Sequence, residues 1–364
     1  ERVDLSYLTS GRDMLRGGNR EAPRTSVELL ADPQFAVLAK DGEAGDSRSV
    51  EAARAAAKAS GPAGSRGGGT FRGLRLGRVA PLPGTREEAK AIEKLLRKVE
   101  VHALYGTDAA KRAFLAIEQP GILHIATHGL FIGETTRGGD NSRGLVLDDE
   151  AGATLQPAAQ AGTAQTSGGA AVTAQVAPSS SVGAAIGAGP EGGQKPAYAD
   201  NALLGSMLVL AGAETAAWIP PEQRDPALGN GLVTALEVAS MNLWGTQLVV
   251  LSACETGRGD VSNLGQGVYG LRRAVMVAGA ESLLTSLWKV DDKATRDLMA
   301  RYYKNLLKGS GRADAMREAA LYLRKKHPHP YYWAPFIAIG RAAPLAGLGK
   351  PAAHAGAEAA DDGE

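Results

Sequence analysis

The residues best placed to do chemistry in this 364-residue chain sit at the ends of two apolar runs. Cys254, the only cysteine, closes the run Leu248-Val-Val-Leu-Ser-Ala-Cys254, which passes at once into Glu255, Thr256 and Gly257. A second run, Gly121-Ile-Leu-His-Ile-Ala-Thr-His128, ends on a histidine followed by Gly129. A structural cysteine would more naturally lie inside such a strand, facing a core, whereas reactive groups emerge where the strands of an open α/β sheet stop. A thiol at one tip and an imidazole at another are the parts of a cysteine nucleophile and its base. The bland alternatives are an inert buried thiol and a histidine satisfied by core hydrogen bonds.

The chemistry also sets requirements. A free thiol with a pKa of about 8.5 is only slightly ionised at neutral pH, so Cys254 needs activation. His128 can take its proton and later protonate a leaving amine. The helix expected beyond the cysteine turn would present its positive end. Gly129 lacks a side chain, which leaves its backbone N–H able to approach a developing oxyanion. His124 precedes His128 by four residues, which invites a metal site with Cys254. On a regular strand that spacing is about 13 Å, too long for both to bind one ion, so His124 is expected to be structural, beneath the site. His102, His327, His329 and His354 fall in loop, edge or tail contexts. The glycines at Gly265-Gln-Gly267 lack the lysine and hydroxyl of a phosphate loop and suit a turn and close packing.

Composition narrows the setting. Lys+Arg total 40 against Asp+Glu 39, a balance that gives no general attraction to nucleic acid or anionic membrane. The locally basic stretch from Arg301 to Lys326 reads as a solvated helix face. One cysteine excludes an internal disulfide and a multi-thiolate metal site. It fits a reducing compartment, and a cytoplasmic location is expected. No segment approaches the roughly 18 apolar residues of a membrane span. The chain opens on Glu1-Arg-Val-Asp, and is expected to be the C-terminal piece of a longer protein.

The elements that must position these residues alternate between strand and helix. Val3–Leu8 and Ser26–Leu30 read as strands with a short helix, Ser10–Leu15, between them. Residues 40–70 read as a flexible loop. Thr85 is placed to cap a helix with apolar Ala89, Ile92, Leu95 and Leu96 at helical spacing. A strand from Val101 to Tyr105, a helix opening near Thr107 and Asp108, and the His128 strand follow. Residues 151–190 carry no Asp, Glu, Lys or Arg, and 151–198 is expected to be a disordered insertion. Pattern returns at Asn201–Ala211. Gly231–Ala239 reads as a helix leading to the Cys254 strand. Beyond it come a helix from Gly265 to Ala278, a strand Ser282–Trp288, a helix begun by Asp291 and Asp292, a helix Ala313–Lys326, and a last strand Ala334–Gly340. Pro335 favours a sheet edge for that strand. The tail 342–364 reads as disordered. Near-continuous apolar strands in βαβ order argue for a mostly parallel sheet covered by helices on both faces.

Taken in order, these residues resemble the CHAT domain, a caspase-like peptidase module found beside TPR repeats and related to separase. The matching stretches are Ser10-Gly-Arg-Asp, Leu82-Pro-Gly-Thr85, Leu123-His-Ile-Ala-Thr-His-Gly129 and Leu248–Gly257. They continue through Gly265-Gln-Gly-Val-Tyr-Gly-Leu-Arg272, Ser286-Leu-Trp-Lys-Val-Asp-Asp292 and Pro330-Tyr-Tyr-Trp-Ala334. The resemblance implies a caspase/haemoglobinase-type α/β fold over 1–341 as a single domain, outside the uncharged insertion. It implies a cysteine endopeptidase with a Cys254–His128 dyad, a thioester intermediate, and an oxyanion hole from the Gly129 and Cys254 backbone N–H groups. A backbone carbonyl could hold the second imidazole nitrogen. No metal or organic cofactor is implied. The expected partners are a protein or peptide substrate and a TPR-type regulatory region in cis or trans, with no nucleic acid and no membrane. Some relatives keep an acid two residues before the nucleophile to select Arg or Lys, but here that position is Ser252. Asp292, with Asp291 beside it, is the other candidate for that pocket, and equally these two read as N-terminal helix charges. Asp148 and Asp149 are weaker candidates. A catalytically silent interaction module and an amide hydrolase acting on small molecules remain the rival readings.

Overall fold

A computed structural model of the chain describes residues 23–37, 76–131, 145–147, 202–216, 219, 224–252, 264–288 and 291–348. These fall in the unit formed by Glu1–Asp148 and Ala197–Glu364. The expected strand and helix at Val3–Leu15, the loop 40–70, the insertion 151–198, most of the tail and Cys254 itself lie outside the described residues.

In chain order the strands are β1 (Val27–Pro33), β2 (Leu76–Val79), β3 (Val101–Gly106), β4 (Ile122–Ala126), β5 (His128–Phe131), β6 (Leu145–Leu147), β7 (Ser206–Val209), β8 (Leu232–Thr234), β9 (Leu248–Leu251), β10 (Ser282–Ser286) and β11 (Phe336–Gly340). The helices are α1 (Pro83–Leu95), α2 (Lys111–Leu115), α3 (Ala202–Gly205), α4 (Ala213–Ala216), α5 (Ala235–Ala239), α6 (Leu264–Val277), α7 (Asp292–Leu306), α8 (Arg312–Arg324) and α9 (Pro330–Trp333).

The principal sheet has six strands in the order β11-β10-β9-β4-β1-β3. All neighbours pair in parallel except β10 and β11. Alternation along each strand feeds two cores. Val27, Leu29 and Ala31 of β1, with Leu248 and Val250 of β9, join α1, α7 and α8 on one face. Leu30 of β1, with Val249 and Leu251 of β9, joins α2, α5 and α6 on the other. This is the mostly parallel sheet with helices on both faces that the apolar runs implied. Pro335 leads into β11, which among the described residues lies at an edge and pairs only with β10, so its missing N–H breaks no ladder there.

Four local readings are corrected. Thr85 does not cap α1. Leu82 is the N-cap residue, with Pro83 opening the helix, and the Thr85 hydroxyl donates to the Leu82 carbonyl and accepts the Asp32 N–H. The second helix opens at Lys111 rather than near Thr107 and Asp108. Gly231–Ala239 is not one helix, because β8 occupies Leu232–Thr234 and α5 starts only at Ala235. Thr234 supplies the break: its hydroxyl and Glu237 form a reciprocal capping box. Finally, the His128 run is two strands rather than one, and the division matters for the site.

Candidate active site

Ile122 to Ala126 form β4, at the middle of the principal sheet between β1 and β9. At Thr127 the chain leaves that sheet, and the Thr127 hydroxyl donates to the Val209 carbonyl. His128 then begins β5, which belongs to a separate three-stranded antiparallel sheet, β5-β7-β8. His124 and His128 therefore do not share a strand.

His128 is 8 % exposed. Its Nε2 lies 2.8 Å from the Ala80 carbonyl oxygen. A carbonyl only accepts, so Nε2 carries the hydrogen and Nδ1 keeps the lone pair in the neutral ring. The Phe35 ring tilts against the imidazole with centroids 5.3 Å apart. Gly129 follows in register with Leu208 of β7 and is buried.

β9 runs parallel to β4, with Ile125 opposite Leu251 and the Ser252 N–H donating to the Ile125 carbonyl. Cys254 lies two residues beyond Ser252, so the covalent chain holds the two Cα atoms within about 7 Å.

Ser252 is buried, with its hydroxyl 3.4 Å from Glu88 Oε2. Glu88 Oε1 sits 3.1 Å from Nε2 of the fully buried His124. The contact has ion-pair distance without aligned hydrogen-bond geometry. His124 Nδ1 is 3.1 Å from the Tyr303 hydroxyl. Burial, aided by the neighbouring Tyr302 and Glu88, pushes the Tyr303 phenol well above its ordinary pKa of 10, so it stays protonated. A chain of polar groups thus joins β9, α1, β4 and α7 under the strand tips, and His124 is built into it. Glu88 and Tyr303 were not legible as parts of this chain. The available signal was that Thr85, Glu88, Ile92 and Leu96 fall on one helical stripe, which places a carboxylate on the buried face.

The acidic candidates separate. The Asp291 side chain caps α7, accepting the Ala294 N–H at 2.8 Å. Asp292 is exposed in the first turn of α7 and packs so closely on Gly84 that a Cβ there would meet its Oδ2 at 2.5 Å.

A family model described as "CHAT domain" matches residues 1–177 and 180–341. The chain belongs to the CHAT domain family. Its caspase-like α/β sheet is that of a CHAT domain. The chain is similar to human Tetratricopeptide repeat protein 28, 35% identical over 117 residues, and to the mouse protein of that name, 33% identical over 117 residues. Each match covers 32% of this chain and 5% of the relative, so this CHAT domain corresponds to a small part of those proteins. Among the described residues no helix is long and apolar enough to cross a membrane.

Proposed function

We propose that this CHAT domain is a cysteine endopeptidase with Cys254 as nucleophile and His128 as base and acid. The observation that carries the reading is the Ala80 carbonyl on His128 Nε2. It holds one imidazole nitrogen as a donor and leaves Nδ1 as the acceptor, two residues beyond β4, the strand that pairs with the one leading to Cys254.

In the proposed cycle Nδ1 takes the Cys254 thiol proton and the thiolate adds to the peptide carbonyl. The backbone N–H groups of Gly129 and Cys254 hold the oxyanion. Collapse breaks the C–N bond, and the proton on Nδ1 passes to the leaving amine. Water, deprotonated by Nδ1, then hydrolyses the thioester and restores thiol and imidazole. The positive charge that appears on the ring at each half-cycle strengthens its Nε2–H bond to Ala80.

Of the three pocket candidates, the Ser252 hydroxyl is turned toward Glu88 and the Asp291 carboxylate is occupied as a cap. We assign contact with a basic substrate side chain to Asp292, the position to which the family resemblance points and which is exposed in the first turn of α7. The substrate is a protein, and the named likeness to tetratricopeptide repeat proteins supports gating by such repeats in cis or in trans. A reducing compartment such as the cytoplasm suits a working thiol.

An electrophilic peptide ketone with Arg or Lys before the warhead tests the reading, with the repeat-containing protein present. Cys254 should be the modified residue. His128→Ala should slow labelling by about 10²-fold or more, the usual reach of a general base. Asp292→Asn should erase the preference for a basic over a neutral side chain. Absence of labelling in the wild type would favour the silent interaction module instead.

A further inference from the structure

The groups that hold His128 are themselves held by one residue. Glu214 lies in α4, a single buried turn between β7 and the residues leading to β8. Its backbone N–H donates to the Phe35 carbonyl at 3.0 Å. Its side-chain Oε2 accepts the Val79 N–H at 3.0 Å. Phe35 supplies the ring that tilts against the imidazole, and Ala80, next after Val79, supplies the carbonyl that takes the Nε2 hydrogen.

We propose that Glu214 is the positioning residue of His128: through Val79 it aims the Ala80 carbonyl, and through Phe35 it seats the ring face. The inference rests on the peptidase reading for its catalytic meaning, but its structural content concerns the imidazole alone.

The surroundings favour this role over simple core filling. Glu214 is 5 % exposed, and a carboxylate buried to that degree is kept for the groups it bonds rather than as apolar filling. The same short turn is braced from its other side, because Thr215 exchanges hydrogen bonds with both the N–H and the carbonyl of Val37. Gly212 N–H also donates to the Gln34 carbonyl. The segment from Gln34 to Val37 and the end of β2 are thus both fastened to α4, one on each side of Glu214. A carbonyl fixed in this way decides which imidazole nitrogen carries the hydrogen, and hence which one is basic. The bond from the Val79 N–H is made to the Glu214 side chain, whereas the bond to Phe35 is made by its backbone, so substitution tests the first link.

The test reads the imidazole directly. Nitrogen NMR of histidine-labelled protein, with the His128 signals assigned by loss in His128→Gln, should show the Nε2–H tautomer in the wild type. Glu214→Gln keeps an acceptor oxygen and should retain that tautomer. Glu214→Asp shortens the side chain by one methylene and should give a tautomer mixture, with Cys254 labelling slowed about tenfold or more. Glu214→Ala should do the same where it folds, and Glu214→Asp serves where it does not. An unchanged Nε2–H tautomer in folded Glu214→Asp would overturn the proposal. Because the tautomer is read without substrate, that result is distinct from failure of the wild type to label at Cys254, which would overturn the peptidase reading alone.

Discussion

His124 holds a carboxylate that the fold has taken out of water. Glu88 is 3 % exposed and His124 is fully buried, so removing the imidazole opens a void beside the carboxylate and takes away the partner of the Tyr303 hydroxyl. His124→Ala should therefore cost about 2–5 kcal/mol, from the cavity and the buried hydroxyl left unpaired, measured by denaturant unfolding. A loss under about 1 kcal/mol would mean that the neighbouring groups close over the void. The tyrosines beneath make a second prediction. Burial raises the phenols of Tyr302 and Tyr303 above the ordinary value of 10. Above that pH the unfolded chain gives up protons that the native state keeps. Stability should then fall as pH rises past about 10, by up to roughly 1.4 kcal/mol per pH unit for each tyrosine. Unfolding experiments across that range should show the slope, and Tyr302→Phe should reduce it.

The elements explain what could be read from the sequence and what could not. The apolar runs at Ile122–Ala126 and Leu248–Leu251 announced buried parallel strands, and the structure sets them side by side. The same runs could not reveal that the chain changes sheets at Thr127. The residues on either side are equally apolar, and only the partner strand β7, 82 residues later at Val209, decides it. Gly231–Ala239 failed for a related reason: a short buried strand and a helix turn have the same composition, and Thr234 reads as an interior residue until its capping box is seen. At residue level, a backbone carbonyl on one imidazole nitrogen of His128 was expected and is found, but that it belongs to Ala80 was not legible, since a backbone carbonyl leaves no mark in the sequence. Gly231 shows how tightly these elements meet. It has φ +64°, and a Cβ there would lie 2.3 Å from the Ala213 nitrogen, at the start of α4. Gly231→Ala should lower stability by about 1–3 kcal/mol or more, through overpacking added to a strained backbone. A thermal melt unchanged from wild type would show that α4 can yield.

Across the whole molecule, the two apolar cores fix the sheet while polar groups fasten its two ends. The strand tips carry the Ser252–Glu88–His124–Tyr303 chain. The opposite end is gathered by Arg312, which is 2 % exposed and bonds Glu281 at 2.8 Å, with Ser282, Gln247 and the Arg341 carbonyl around it. Burial lowers the Arg312 pKa, and Glu281 opposes that shift. The crossing at Thr127 has a consequence for how the molecule opens. Among the described residues β4 is laddered on both sides, by β1 and β9, whereas β5 is an outer strand joined only to β7. Amides of β4 should exchange with solvent only on global unfolding, and those of β5 through a smaller local opening. Native-state exchange at graded denaturant would resolve the two, and equal opening free energies would contradict it. The strand that carries the imidazole can thus come loose and reclose while the strand leading to the thiol stays shut.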